Sequence, residues 1–186
     1  ASRTERKRPG AAAFGHDILR GVPALGSLCR IDAVQPMNID STNMSPDCWL
    51  ALAECLRDHY DRYDGFVITH GTDTMAYTAC ALSYLVQHSG KPIVLTGAQK
   101  SIYVQDTDAR RNLYDAFVAA QDDCLAGVYI VFDGRVILGT RARKNPHQID
   151  ERVFQHRLSR CGVDPRRTHS ALYSSRKAAD AARVPR

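Results

Sequence analysis

Gly65-Phe66-Val67-Ile68-Thr69-His70-Gly71-Thr72-Asp73-Thr74-Met75-Ala76-Tyr77-Thr78-Ala79 passes from one hydrophobic periodicity to another within a single short segment. Phe66-Val67-Ile68 is an aromatic and β-branched run entered from a glycine, which predicts a buried strand. The residues after Thr74 predict a helix with Met75, Ala79, Leu82 and Val86 turned inward, closing at Ser89-Gly90. The junction between them packs the hydroxyls of Thr69, Thr72 and Thr74, the His70 imidazole and the Asp73 carboxylate into one turn, beside the unpaired N–H groups of a helix start. A strand delivered into a helix through such a turn is the unit of a parallel α/β sheet.

The same alternation continues on both sides. Ile93-Val94-Leu95-Thr96, after Lys91-Pro92, reads as a second buried strand and Gly127 to Phe132 as a third. Asp133-Gly134 is a two-residue hairpin turn that returns the chain through Arg135 to Leu138. Leu113, Ala116, Phe117 and Ala120 predict a helix from about Asp108 to Gln121. Upstream, Ser45 as N-cap, Pro46 at the first helical position and Asp47 in the first turn open a helix whose Trp49, Leu52, Ala53 and Leu56 form one apolar stripe. Cys29 to Val34 predicts a further strand, preceded by two short helices, one around Ile18, Leu19 and Val22 and one around Leu25 and Leu28. The order is β-α-β-α-β-α-β with a terminal hairpin, which implies an α/β fold of three layers, a mostly parallel sheet with helices on both faces. Residues 1–17 lack periodicity and predict disorder, and beyond Leu138 the pattern stops. The folded domain is therefore expected over residues 18–144, with a basic, low-order tail over 145–186.

Composition narrows the class. A chain of 186 residues, 44% of them hydrophobic and 24% charged, can bury one substantial core. No apolar run approaches the roughly 20 residues needed to span a membrane. The charged amino terminus is followed by no apolar segment, so it is not a secretory signal, and a cytoplasmic location is expected. The net charge of +5 is concentrated at the ends, in Arg3, Arg6, Lys7 and Arg8 and in the arginine-rich residues after Glu151, while the body between them is net acidic. A nucleic-acid partner is not expected from that distribution. Cys29, Cys48, Cys55, Cys80, Cys124 and Cys161 form no C-x-x-C pair, and Cys48, Cys55 and Cys80 fall on predicted helices beside small and apolar neighbours, as buried free thiols do.

In an open parallel sheet, ligands bind at the carboxyl ends of the strands. Four segments are expected there: the Ser41-Thr42 loop, the Thr72-Asp73 turn, the Thr96-Gly97-Ala98-Gln99 loop and the loop holding Lys144. A threonine hydroxyl reacts only when a base removes its proton and something orients the base. A desolvated Lys144 as base, oriented by Asp73, makes a Thr-Lys-Asp relay, with helix-start N–H groups holding an oxyanion. Each residue also has a plainer reading: Thr72 and Asp73 as helix caps, Ser41 and Thr42 as turn stabilisers, Lys144 as a solvated charge. His70 reads as structural, since no second His or Cys stands at metal spacing.

Val67-Ile68-Thr69-His70-Gly71-Thr72-Asp73-Thr74-Met75, with Thr78-Ala79 after it, resembles the second signature of the bacterial-type L-asparaginase family. Asp40-Ser41-Thr42-Asn43-Met44 resembles the substrate-holding loop of that family's cytoplasmic type I members, and Lys91-Pro92 through Gln99 is similar to its next strand. The resemblance implies catalytic roles for Thr72, Asp73 and Lys144. It also implies substrate contacts from Ser41, Thr42, Thr72, Asp73 and Gln99, with Asp73 on the α-amino group and Ser41 on the α-carboxylate. The implied reaction is hydrolysis of the side-chain amide of L-asparagine to aspartate and ammonia, by a threonine nucleophile, without metal or organic cofactor, and in a homo-oligomer if the complete family fold is present. The family's Thr-Gly-Gly-Thr segment is not found before Ile18, and residues 145–186 do not resemble its smaller carboxy-terminal domain. The expectation is a fragment, or a reading frame that departs from the family near both ends. A non-catalytic amino-acid-binding remnant and a tRNA-dependent amidotransferase subunit are the competing readings.

Overall fold

The structure is a computed structural model, and it describes residues 20–144 and 149–150. The expectations placed on residues 1–17, Ile18, Leu19, Cys161, the Lys144 side chain and the tail apart from Ile149 and Asp150 lie outside the described residues.

Four strands form one sheet in the order β1-β2-β3-β4: β1 (Phe66–Thr69), β2 (Pro92–Thr96), β3 (Gly127–Phe132) and β4 (Arg135–Leu138). β1, β2 and β3 run parallel, with Val67 beside Val94 and Ile93 beside Val128. β4 returns antiparallel, pairing Val131 with Val136. Its turn has the expected chemistry: Asp133 and Gly134 both take positive φ, 50° and 71°, which matches the twist of a two-residue hairpin.

Successive strand residues point to opposite faces, and each face has its own helices. On one, Val67, Val94, Val131 and Val136 pack against Leu25 of α1 (Leu25–Leu28) and against Leu113, Ala116 and Phe117 of α4 (Ala109–Ala119). On the other, Phe66, Ile93, Leu95 and Ile130 meet Leu52 and Leu56 of α2 (Pro46–His59) and Met75, Ala79 and Leu82 of α3 (Met75–Leu85). β2 is buried along its whole length, as a strand covered on both faces must be. The fold is an α/β sheet clothed on both faces, as the alternation of elements implied.

Three boundaries differ from the sequence reading. Cys29 to Val34 is not a strand. Ala33 and Val34 are both exposed, and the segment is tied down sideways, by Cys29 and Ile31 against the core and by Asp32 against Tyr63. A strand exists by pairing, and no described strand lies beside this one to accept its backbone groups. α3 ends at Leu85 rather than at Ser89-Gly90: Val86 has already left the helical region, at φ −113° and ψ 70°, and His88 follows with a left-handed φ of 58°. Beyond Leu138 the chain keeps some order: a 3-10 turn over Gly139–Arg141 is followed by β5 (Arg143–Lys144), which pairs with β6 (Ile149–Asp150).

Candidate active site

The carboxyl ends of β1 and β2 are bound together before any functional group is placed. The His70 amide donates to the Thr96 carbonyl at 2.8 Å, extending the ladder one residue past β1. Gly97 then passes so close to the His70 carbonyl that a Cβ there would collide with it, and the Thr72 methyl stands 3.6 Å from the same position. A glycine is required by that approach. Behind it, Asn112 of α4, 1% exposed, donates to the Gly97 carbonyl at 3.0 Å and accepts from the Asp133 amide at 2.9 Å. One buried amide thus holds the ends of β2 and β3 at a common level.

Onto that floor the Ser41 loop is fastened from both sides. Asp40 accepts from the Thr42 amide at 2.9 Å and from the Thr42 hydroxyl at 2.8 Å, closing a 3-10 turn over Ser41–Asn43. These bonds hold the Asp40 carboxyl below its ordinary range. Thr74 donates its hydroxyl to the Ser41 carbonyl at 2.6 Å, across 33 residues. Ser41 is thereby pressed against Gly71, where an added Cβ would stand 2.5 Å from the Ser41 Oγ.

The loop after β2 is shaped by Asp108, whose carboxylate accepts from the amides of Gln99 at 2.8 Å and Lys100 at 3.0 Å. Gln99 is consequently held by its backbone while its exposed side chain makes no hydrogen bond among the described residues.

The expected site residues fall into three groups. Ser41 and the Thr72–Asp73 turn come together at the strand ends; Thr42 lies beside them but spends its hydroxyl on Asp40. Gln99 lies two residues beyond Gly97 in the loop after β2. Lys144 is placed by its backbone alone, paired with Ile149. The cap of α3 falls on Thr74, not on Thr72 or Asp73, and Thr74 turns its hydroxyl to the neighbouring loop instead of to its own helix. Ser41 is 7% exposed, yet its hydroxyl makes no hydrogen bond among the described residues, and neither does the hydroxyl of Thr72. A cavity of about 210 Å³ opens at Ser41, His70 and Gly71 and runs beneath the Ala33–Ile39 loop over Leu52 and Val67.

Sequence reasoning missed Thr74, Asp108 and Asn112, whose partners are distant in the chain, and it left His70 without a partner. His70 Nδ1 lies 2.7 Å from the Gly71 carbonyl and its Nε2 3.0 Å from the Thr78 hydroxyl. Burial pushes the imidazole below its ordinary value, with the Gly71 bond opposing. Cys48, Cys55 and Cys80 form no disulfide, as expected, and are half-buried rather than buried. No group of three or more His, Cys, Asp or Glu able to hold a metal occurs among the described residues, and no helix there is long and apolar enough to cross a membrane.

Comparison with known proteins identifies the sheet and its signature turn. The family description that matches residues 1–155 is asparaginase, N-terminal. An L-asparaginase of Thermococcus kodakarensis is 39% identical over 126 residues, which are 68% of this chain and 38% of that protein. L-asparaginase 1 of Escherichia coli is 43% identical over 106 residues, 57% of this chain and 31% of the other. A subunit of the glutamyl-tRNA(Gln) amidotransferase of Methanococcus vannielii is 42% identical over 122 residues, 65% of this chain and 28% of that protein. The crystal structure of L-asparaginase I from Vibrio cholerae superposes with a TM-score of 0.67 at 33% identity, covering 77% of this chain and 44% of that one. The chain thus spans less than half the length of these relatives. With the signature turn, the hydroxyl-bearing loop beside it and the sheet beneath both in place, the chain belongs to the asparaginase family, and its match is to the amino-terminal domain.

Proposed function

We propose that this chain carries the Ser41 and Thr72–Asp73 portion of a site that hydrolyses the side-chain amide of L-asparagine. The observation that carries the reading is the placing of two hydroxyls, Ser41 Oγ and Thr72 Oγ1, neither of them hydrogen-bonded among the described residues, on adjoining loops at the carboxyl end of a parallel sheet. Ser41 binds the α-carboxylate and Asp73 the α-amino group. Their opposite electrical demands orient the substrate with its amide towards Thr72. Water adds to the amide carbon while its proton passes through Thr72 Oγ1 to an uncharged Lys144 amine. The C–N bond then breaks as that proton reaches the leaving nitrogen, and the products are aspartate and ammonia. Thr42 and Gln99 border the substrate, and no metal or organic cofactor takes part.

Ammonia release from L-asparagine by the purified chain, above that of a Thr72→Ala control, is the expected result. Equal release from the two proteins refutes the hydrolase reading. A second reading, as part of a tRNA-dependent amidotransferase, is favoured by the likeness to the Methanococcus vannielii amidotransferase sequence and by the basic ends. Retention of tRNA on a filter at moderate salt supports it, and no retention removes it.

A further inference from the structure

We propose that His70 is a positioning residue, the last link of a one-way hydrogen-bond relay that runs from Trp49 through Thr78 to the Gly71 carbonyl and fixes the peptide plane entering Thr72 and Asp73. The direction follows from which groups can donate. An indole N–H only donates, so the 3.0 Å contact between Trp49 Nε1 and Thr78 Oγ1 has the threonine oxygen as acceptor. A carbonyl only accepts, so the 2.7 Å contact between His70 Nδ1 and the Gly71 oxygen requires the proton on Nδ1. In the neutral ring Nε2 is then a bare acceptor, and the Thr78 hydroxyl, 3.0 Å away, donates to it. Each proton is used once, and the chain of bonds has a single sense, from α2 through α3 to the turn.

The surroundings make that sense hard to reverse. Thr78 is fully buried, so its hydroxyl has no water to turn to. The rotamer that reaches His70 leaves the carbonyl of Thr74 to the Thr78 backbone amide, at 3.0 Å. Burial also keeps the imidazole in its neutral form, the form the relay requires. The Gly71 carbonyl, at the receiving end, belongs to the peptide bond that leads into Thr72. Ser41 holds the other side of Gly71, and Gly97 lies against the His70 carbonyl. The ring therefore restrains rotation of the Gly71–Thr72 peptide through its bond to the Gly71 carbonyl. The relay stands on its own geometry, and only its consequence for ligand binding rests on the proposed function.

The test compares the unsubstituted chain with Thr78→Val, which keeps the shape and removes the hydroxyl, and Thr78→Ser, which restores the hydroxyl. Nitrogen-15 spectra of the imidazole ring report the tautomer, and backbone amide spectra report Thr72 and Asp73. The expected result is an Nδ1–H ring in the unsubstituted chain and in Thr78→Ser. In Thr78→Val, with its fold confirmed by an unchanged far-ultraviolet spectrum, the expectation is a mixed tautomer and displaced Thr72 and Asp73 signals. An Nε2–H ring in the unsubstituted chain, or Thr72 and Asp73 signals unmoved in a folded Thr78→Val, overturns the proposal. Calorimetry with L-aspartate adds an expected weakening of about tenfold in Thr78→Val, recovered in Thr78→Ser. If the unsubstituted chain binds no aspartate while ring and turn signals behave as expected, the relay is supported and the amide-hydrolase reading fails.

Discussion

Replacing Asn112 by leucine tests whether the site's floor is held by one side chain. Leucine keeps nearly the volume of asparagine and adds no strain of shape, so the loss is that of hydrogen bonds. The bonds removed are those to the Gly97 carbonyl and the Asp133 amide, together with a longer one, 3.3 Å, to Asp108. Gly97 is half-buried and Asp133 exposed, so water recovers part of the second loss and little of the first. An unsatisfied buried group costs about 1–3 kcal/mol and an ordinary bond about 1 kcal/mol, for a sum of roughly 2–4 kcal/mol. For a folded body of this size that corresponds to a fall of about 10 °C in Tm. The assay is urea unfolding beside calorimetry, with an unchanged denaturant slope showing that the native state is retained. Asn112→Asp sharpens the test. It keeps the acceptor for Asp133 but loses the donor to Gly97 and sets a second carboxylate against Asp108. At neutral pH it is expected to cost more than leucine. Its carboxyl is raised in the folded state by burial and by that like charge, so stability returns as pH falls through the folded value. A leucine variant within about 0.5 kcal/mol of the parent would refute the reasoning.

Three further outcomes follow from the same geometry. Gly71→Ala is expected to cost about 1–3 kcal/mol by driving a Cβ into Ser41, and Ser41→Gly in the same chain should recover most of it, as a double-mutant cycle in urea will measure. Because burial holds His70 below its ordinary value of 6.5, the unfolded chain takes up its proton first; stability is full above that pH and declines as pH falls from there towards the folded value, a slope that unfolding midpoints at successive pH values should show and that His70→Asn should flatten. At Gly134, whose φ is 71°, alanine should lower stability by about 1 kcal/mol, read as a shift of the urea midpoint without loss of the sheet's circular-dichroism signal.

Most of the sheet was legible because its signals are local. β-Branched runs bounded by glycine gave away β1 to β3, Asp133-Gly134 marked the hairpin, and the Trp49-Leu52-Ala53-Leu56 spacing marked α2. Ser41, Thr72 and Asp73 could be singled out by residue type and by their place at strand ends. What was not legible depends on partners far along the chain. Cys29 to Val34 has the composition of a strand, but composition supplies no neighbour to pair with. Thr74 looked like one more hydroxyl in a rich turn, and only its bond to Ser41, 33 residues away, distinguishes it from Thr72. Asn112 sits beside Leu113 on an amphipathic helix, and nothing in a helical period says that a polar residue there is buried and fully used. His70 could be read as structural from its spacing, while its two neighbours, Thr78 and the Gly71 carbonyl, were already in the segment that decided the fold.

The close approaches at Gly71 and Gly97 divide the site into two kinds of position. At the glycines a side chain has nowhere to go, because Ser41 and the His70 carbonyl already occupy the space. At Thr72, Asp73 and Gln99 the side chains stand half-buried or exposed. The backbone at the two glycines is therefore a fixed frame, while the exposed Gln99 is a fitting that can be exchanged without touching Thr72 or Asp73. A laboratory library that randomises Gln99 and spares both the frame and the Thr72–Asp73 pair would sample new amide specificities without first losing the fold, whereas one that also randomises the glycines would spend most of its members on collisions.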